Sequence, residues 1–212
     1  MNRLLPLFCL CIVLPLILLF AKSQFTGTKA RASTQKRITT KPPDTFSQLR
    51  KKAVAAKIVA AQKGFSTHIA FLLDMHLPSG QKRFFIYDLQ KNSLLASGLV
   101  AHGSCRQRFL ETAQFSNVPG CGCSAEGRYK IGGVYEGRFG KAFKLIGLDT
   151  TNSNAYQRNV VLHSYNYVPD EECYPYPICN SLGCPMVSVK FLNTAAGFVE
   201  KEKKPVLLWI YN

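Results

Sequence analysis

The sequence lacks the motifs that mark several large functional classes. It contains no internal repeat, no dinucleotide-binding glycine fingerprint and no phosphate-binding loop. A repeat would predict a solenoid or a propeller, and either glycine motif would predict a nucleotide site where a strand meets a helix. The sequence therefore gives no indication of a repeat architecture or of a nucleotide site, and its chemistry has to come from individual side chains.

An apolar run of ordinary membrane-spanning length is also missing. The N-terminal run covers residues 4–20, contains Pro6 and Pro15, and is shorter than the ~20 apolar residues that a spanning helix needs. Small residues within 21–23 are typical of a signal-peptidase site. Residues 1–23 are predicted to be a cleaved signal peptide, with an uncleaved inner-membrane anchor as the alternative. In both cases we expect the protein in the periplasm or cell envelope.

Acidic residues are scarce, with 12 Asp and Glu against 27 Lys and Arg, and the net charge is +15. Most of the excess lies in residues 22–64, which carry +10, whereas residues 65–212 carry only +4. A folded part this mildly basic argues against nucleic acid as a partner. Because the basic segment follows a membrane-targeting stretch, the predicted partner of residues 22–64 is an anionic membrane or wall polymer. A solvated, soluble tether is the alternative.

The rest of the chain divides into a linker, a helix and a β-rich domain. Residues 24–43 are rich in Thr, Lys, Ser and Ala and are predicted to be a basic linker. Residues 44–64 form a predicted amphipathic helix, which Asp44 would cap and Gly64 would end. Its apolar stripe consists of Phe46, Leu49, Ala53, Ala56 and Ala60. Such a helix either packs on its own domain or lies on a membrane surface.

Residues 65–212 alternate short apolar segments with polar turns. The predicted strands are 68–73, 83–87, 94–96, 98–101, 129–134, 142–148, 159–162 and 205–211, and 187–191 is either a strand or the start of a helix. Many short strands with polar residues on loops predict a mainly β domain, a sandwich or barrel with short helices.

Six of the eight cysteines lie outside the N-terminal apolar run. They are Cys105, Cys121, Cys123, Cys173, Cys179 and Cys184. An exported protein is expected to join some of them in disulfides. We predict a bridge between Cys173 and Cys179, which bracket a short Tyr-Pro-Tyr-Pro loop. A second bridge from Cys105 to Cys121 or Cys123 is open, because connectivity cannot be deduced from spacing alone.

Cys184 is the candidate nucleophile of the chain. It follows Gly183, which allows a sharp turn whose backbone N–H groups can point at a developing oxyanion. His163 ends an apolar strand and can take the thiol proton, which would make a thiolate for acyl transfer. Ser164 follows, and its hydroxyl or carbonyl can hold the imidazole in the required tautomer. A structural or metal-bound cysteine is the alternative.

Beyond residue 65 the chain resembles the L,D-transpeptidase (YkuD-type) family, and more specifically its murein L,D-transpeptidase catalytic domain branch. The matching stretches occur in the right order: VAHG (100–103), FSN (115–117), YEGRFG (135–140), LIGL (145–148), NAYQR (154–158) and GCP (183–185). His163 and Ser181 are separated by seventeen residues, within the usual spacing of the family signature. The resemblance implies an L,D-transpeptidase-like β-sandwich.

The resemblance also implies a role for each matched residue. Cys184 matches the nucleophile, His163 its base, Ser164 the third catalytic member, and Gly183 with Cys184 the oxyanion hole. The implied substrate pocket contains Arg158, His102, Ser181 and Leu182. Two of these residues have an alternative role: Arg158 could form a buried ion pair, and His102 could shape its loop. The implied substrate is the stem peptide of peptidoglycan, and neither metal nor nucleotide cofactor is required.

Two positions depart from the family pattern. Leu182 stands where the family has a histidine, and Pro185 follows Cys184 where Arg or Asn is common. Both changes remove polar groups from the pocket, so substrate preference is open. A hydrophobic Leu182 near the thiol would exclude water and favour transfer over hydrolysis.

Three other functions compete with a transpeptidase. An L,D-carboxypeptidase would use the same site with water as the acceptor. A non-catalytic wall-binding or redox module would pair Cys184 with Cys179 or Cys173. A zinc site would use Cys121, Cys123, His102 and Cys105, although the ligand spacing is irregular.

Overall fold

Most of the chain is built from β-strands. The structure is a computed structural model that describes residues 45–138 and 140–212. The strands are β1 (Ile69–Asp74), β2 (Phe84–Asp88), β3 (Ser93–Gly98), β4 (Gly127–Gly137), β5 (Gly140–Gly147), β6 (Val161–Ser164), β7 (Met186–Val187) and β8 (Leu207–Tyr211). The α-helices of the described part are α1 (Thr45–Lys63) and α2 (Val189–Val199), with a 3₁₀ turn at Thr150–Asn152. The mainly β prediction is confirmed.

The N-terminal predictions fall on residues that the structure does not describe. The signal or anchor at 1–23, the linker at 24–43 and the Asp44 cap lie outside the described residues. Among the residues that are described, no helix combines the length and apolarity needed to cross a membrane.

All eight strands belong to one mixed sheet with the order β3-β2-β1-β8-β4-β5-β6-β7. Strands β1 and β8 pair in parallel, as do β6 and β7, and the other neighbours are antiparallel. The sequence left a sandwich or a barrel open, and the structure shows one continuous mixed sheet in place of the two separate sheets of a sandwich. One core cluster contains Phe71 and Phe84 near one end of the sheet and Phe143 and Leu162 near the other. Strands this far apart in the sheet share a core only if the sheet curves, so we infer a curved sheet around one interior.

Helix α2 fills this interior. Its buried residues Phe191, Leu192, Ala195 and Ala196 join the main core cluster. Ser188 caps the helix, since its Oγ accepts a 3.1 Å hydrogen bond from the Phe191 N–H. The strand β7 thus ends at Val187 and the helix begins two residues later, which explains why the sequence of 187–191 fits both structures.

Helix α1 packs on the opposite face of the sheet. Leu49, Ala53, Ala56 and Ala60 form a second cluster with residues of β1, β2 and β8, as the apolar stripe predicted, whereas Phe46 is 60% exposed. The helix ends at Lys63, Gly64 follows it with a φ of +73°, and the Phe65 N–H donates to the Ala60 carbonyl. The helix packs on its domain and presents basic side chains to solvent, so contact with an anionic membrane or polymer stays a prediction.

Candidate active site

The predicted nucleophile follows a tight turn that enters β7. Gly183 has a φ of +120°, a conformation that side-chain-bearing residues rarely adopt. The Gly183 N–H donates a 3.0 Å hydrogen bond to Ser181 Oγ. Ser181 is itself fixed, because its N–H donates to the His102 carbonyl at 2.8 Å and its carbonyl accepts from Ser104. The turn is therefore held from both sides, and the Gly183 N–H already has a partner within the turn.

The Cys184 thiol lies against the start of β6. Its Sγ accepts a 3.5 Å hydrogen bond from the Val161 N–H, and its S–H donates to the Asn159 carbonyl at 3.8 Å. Burial raises the pKa of the Cys184 thiol above its ordinary value, and the Val161 N–H and the Arg158 charge oppose that shift. The thiol is thus expected to rest in its protonated form, so an adjacent base is needed to activate it.

The parallel pairing of β6 with β7 brings His163 close to Cys184. His163 pairs with Met186, and its N–H donates to the carbonyl of Pro185, the residue after Cys184. Leu162 and Val187 join the main core, so His163 faces the other side of the sheet, together with Val161. The sequence prediction of a histidine at a strand end near the cysteine is consistent with this placement.

A backbone hydrogen bond fixes the tautomer of His163. Its Nδ1 lies 2.9 Å from the Ser164 carbonyl oxygen, which can only accept, so Nδ1 carries the proton. The Nε2 atom of the neutral ring is then the basic nitrogen. Burial lowers the pKa of His163, and the bond to Ser164 partly opposes this. Ser164 therefore orients the ring through its carbonyl, one of the two alternatives that the sequence left open.

Arg158 braces the loop that packs behind the nucleophile. Its guanidinium donates to the carbonyls of Ser116 at 2.7 Å and Cys123 at 2.5 Å, and to Cys121 Sγ at 3.4 Å. These partners are loop atoms, and within the described part of the chain no carboxylate pairs with Arg158, which is evidence against the alternative of a buried ion pair. Arg158 shapes the loop, and its charge reaches Cys184.

His102 does not face a substrate, which corrects its placement in the pocket. Its side chain is fully buried, with Nδ1 accepting a 2.8 Å hydrogen bond from Arg83 Nη2. Its Nε2 donates to the Leu110 carbonyl at 3.0 Å. Burial and the nearby Arg83 charge lower the pKa of His102 to about 4. Its backbone carbonyl holds Ser181, so the alternative role in shaping the loop is the one observed.

The two remaining pocket residues lie in opposite environments. Ser181 is buried and its Oγ is used within the turn, so it supports the turn and offers little surface to a ligand. Leu182 is 85% exposed, so in this structure it does not shield the thiol from water. It remains available to contact a bound peptide.

The cysteine pairing differs from the leading prediction. Cys105 and Cys123 form a disulfide, which is one of the two bridges that the sequence left open. Cys173 and Cys179 are free thiols, so their predicted bridge is wrong, and Cys121 and Cys184 are also free. The zinc alternative is contradicted because two of its four ligands are bonded to each other. A bridge from Cys184 to Cys173 or Cys179 is absent as well.

A cavity of about 380 Å³ includes Asn159 and Val161, whose backbone atoms contact Cys184 Sγ, and the sequence did not indicate its residues as a site. It is lined by Tyr135, Lys144, Tyr156, Asn159, Val160 and Val161. Tyr135 and Tyr156 belong to stretches that carry the family resemblance, which was the available signal. Lys144 belongs to none of them, and only the pairing of β5 with β6 places it here.

The Cys184 thiol contacts Val161 at the start of β6, and His163 lies two residues further along the same strand, on the same face. A thiol and a neutral imidazole on one strand are the groups that thiol-dependent acyl transfer requires. Residues 42–211 match the family described as L,D-transpeptidase catalytic domain. This chain therefore belongs to the L,D-transpeptidase catalytic domain family. A search of curated proteins found no match to the sequence.

Similar solved structures include two L,D-transpeptidases and a cell-shape protein. An L,D-transpeptidase from Mycobacterium smegmatis is 11% identical with a TM-score of 0.40, covering 68% of this chain and 59% of its own. A mutant of the helical cell shape determining protein Pgp2 from Campylobacter jejuni is 14% identical with a TM-score of 0.43, covering 68% and 47%.

An L,D-transpeptidase from Xylanimonas cellulosilytica DSM 15894 is 9% identical with a TM-score of 0.37, covering 73% of this chain and 68% of its own. This chain thus spans little more than half the length of the first of the three structures. Scores and identities this low add no argument, and the family assignment rests on the match over residues 42–211.

Proposed function

We propose that this chain is a peptidoglycan L,D-transpeptidase that uses the Cys184 thiol as its nucleophile. The observation that carries the proposal is the hydrogen bond from His163 Nδ1 to the Ser164 carbonyl, because it leaves Nε2 as the basic nitrogen of a ring on β6, the strand whose first residue contacts Cys184 Sγ. The family assignment supports the reaction class and the stem peptide as substrate. The depressed pKa of His163 supports a neutral imidazole at physiological pH.

The first half of the reaction forms a thioester. The thiol proton moves to His163 Nε2 as Sγ attacks the carbonyl carbon between the third, L-centred residue and the terminal D-residue of a tetrapeptide stem. The C–N bond then breaks, and the imidazolium returns the proton to the leaving amine. The thiol first has to rotate away from the Asn159 carbonyl, to which its proton points in the resting structure.

The Cys184 N–H is the best-placed donor for the tetrahedral oxyanion. Among the described residues it forms no hydrogen bond, whereas the Gly183 N–H donates to Ser181 Oγ. One such backbone donor typically contributes about 2.7–4 kcal/mol to transition-state stabilisation. Gly183 then contributes to the oxyanion hole mainly by allowing the turn that orients the Cys184 N–H.

The second half transfers the acyl group to an amine of another stem peptide. His163 Nε2 takes a proton from that amine as its nitrogen attacks the thioester carbon, and the thiol is regenerated. Water in place of the amine gives the L,D-carboxypeptidase reaction. Because Leu182 is exposed at the turn, it can contact the acceptor stem, and we propose that this contact favours transfer over hydrolysis.

The test is to incubate the purified protein with disaccharide-tetrapeptide and follow it by mass spectrometry. A Cys184 adduct that has lost one D-residue, together with cross-linked dimer, is the expected result. Cys184→Ala should form neither, and Cys173→Ser, which changes another half-buried free thiol, should form both. Tripeptide without dimer would identify a carboxypeptidase, and no adduct with peptide or carbapenem would reject the proposed nucleophile.

The proposal requires an exported protein. The Cys105–Cys123 disulfide supports an oxidising compartment such as the periplasm. We propose that residues 1–23 direct export and that the mature domain acts in the cell envelope. The mass of the protein recovered from the envelope fraction decides between a cleaved signal and an anchor, and recovery in the cytosol alone would overturn the localisation.

A further inference from the structure

The cavity that includes Asn159 and Val161, the two residues whose backbones contact Cys184 Sγ, also contains a cation that the acyl-transfer chemistry does not use. Lys144 pairs with Val161 across β5 and β6, and the Val161 N–H bonds to Cys184 Sγ. Lys144 is exposed, whereas its neighbours Phe143 and Leu145 are buried in the core. The Lys144 side chain therefore lies on the same face of the sheet as that of His163. Lys144 belongs to β5, the neighbour of the strand β6 that contacts the thiol.

Two aromatic rings hold the Lys144 ammonium at this position. Its Nζ lies 5.6 Å from the ring centroid of Tyr135 and 5.1 Å from that of Tyr156. Such contacts attract a cation and restrict its side chain without neutralising it. Within residues 45–138 and 140–212, Lys144 has no carboxylate within ion-pair distance. A restricted, uncompensated ammonium in a cavity is the arrangement that an anionic ligand would complete.

The other cation near the thiol is already engaged. The guanidinium of Arg158 donates hydrogen bonds to the Ser116 and Cys123 carbonyls and to Cys121 Sγ. To bind a ligand, Arg158 would have to break these hydrogen bonds, and the loop that packs against Gly183 would no longer be held in place. Lys144 can pair with an anion without any such loss.

We propose that Tyr135, Lys144 and Tyr156 form a subsite for a free carboxylate of the peptide substrate. This rests on the proposed function, because it names how that same site recognises its peptide. A lysine side chain one strand away from the thiol can reach a group one or two residues from the scissile carbonyl, since an extended peptide advances roughly 3.3 Å per residue. The carboxylate is either that of the terminal D-residue or one carried by an inner residue of the stem.

Binding to the full chain carrying Cys184→Ala tests the subsite without depending on turnover. Three tetrapeptides are titrated by calorimetry: the free acid, its C-terminal amide, and a form amidated only at the inner carboxyl. Lys144→Gln should weaken binding of the free acid about tenfold, the loss expected for one charge-assisted hydrogen bond. The peptide whose recognised carboxylate is amidated should bind weakly to Cys184→Ala both with and without Lys144→Gln. The amide that shows this result identifies which carboxylate, terminal or inner, the subsite binds.

Two further variants control for charge and fold. Lys144→Arg should retain binding, and Lys130→Gln, which removes the same charge from an exposed position on β4 outside the cavity, should behave like its parent. The subsite would be overturned if the free acid bound equally well with and without Lys144. It would also be overturned if none of the Cys184→Ala proteins bound the peptide. Peptide that binds through Lys144 but never acylates Cys184 in the unmutated protein would instead reject the proposed function and leave the subsite in place.

Discussion

The Cys123 carbonyl oxygen lies directly against Gly183, and a Cβ placed at Gly183 would come within 2.8 Å of it. The disulfide-bonded loop and the nucleophile turn are therefore packed backbone against backbone. Ser124 Oγ strengthens the contact by donating to the Gly183 carbonyl at 3.3 Å. The position of Cys184 thus depends on a loop that is distant in sequence.

Gly183→Ala should disrupt this contact. The φ of +120° is strained for alanine, and the new methyl group would push the Cys123 carbonyl away. We expect the free energy of unfolding to fall by about 1–3 kcal/mol, measured by urea denaturation, and acylation of Cys184 to be nearly lost. Gly133→Ala, which has open space around its Cβ, is the control and should change neither. Wild-type acylation by Gly183→Ala would contradict this account of the turn.

Ser164→Ala should keep most of the activity. The atom that orients His163 is the Ser164 carbonyl oxygen, which alanine also provides. We expect kcat/KM to stay within about threefold of wild type, whereas His163→Ala should lose roughly 10²–10⁴-fold, the usual contribution of a general base. A large loss in Ser164→Ala would show that the hydroxyl carries the third catalytic role.

The pH dependence of acylation should reflect the buried imidazole. Burial lowers the pKa of His163 from 6.5, so the ring stays neutral, and able to accept the thiol proton, to lower pH than a free histidine. The acidic limb of kcat/KM, which reports the free enzyme, should therefore lie below pH 6.5. A limb at or above that pH would argue against the neutral imidazole as the base.

Removing the disulfide should destabilise the domain. Cys105 and Cys123 are 18 residues apart, and closing a loop of this size is typically worth about 3 kcal/mol. The double variant Cys105→Ser with Cys123→Ser should lose stability of that order in urea denaturation. The matched double variant Cys173→Ser with Cys179→Ser removes two free thiols and should lose little. The reverse ranking would support the bridge that the sequence favoured.

His102 should make the fold sensitive to acid. Its pKa falls from 6.5 in the unfolded chain to about 4 in the fold, so the unfolded state binds the proton first as pH drops. The contribution of neutral His102 to the free energy of unfolding is fully present above pH 6.5. About 3 kcal/mol of that free energy should be lost as the pH falls from 6.5 to about 4.

His102→Gln provides an acceptor for Arg83 and a donor for Leu110 without titrating in that range. Its free energy of unfolding should therefore decline less steeply with acid than that of the wild type. Parallel pH profiles for the two proteins would rule out His102 as the source of the acid sensitivity.

The sequence by itself determined which strands form and which side chains carry the candidate chemistry. Period-two alternation fixes residues such as Phe71 and Leu72 to opposite faces of β1 whatever the partners are, and the predicted helix and most strands lie within a few residues of the observed ones. His163 and Cys184 were found by local context and spacing, which need no tertiary information.

Only the tertiary structure decided what depends on contacts between distant segments. Hydrogen bonding between β8 and both β1 and β4 joins the strands into one sheet and not two, and no local pattern encodes that pairing. Contacts between distant segments also set the partner of Cys105, the burial of His102 against Arg83 and the position of Lys144 opposite Val161. Residue type and period are local properties, whereas the neighbours of a side chain are set by how the whole chain packs.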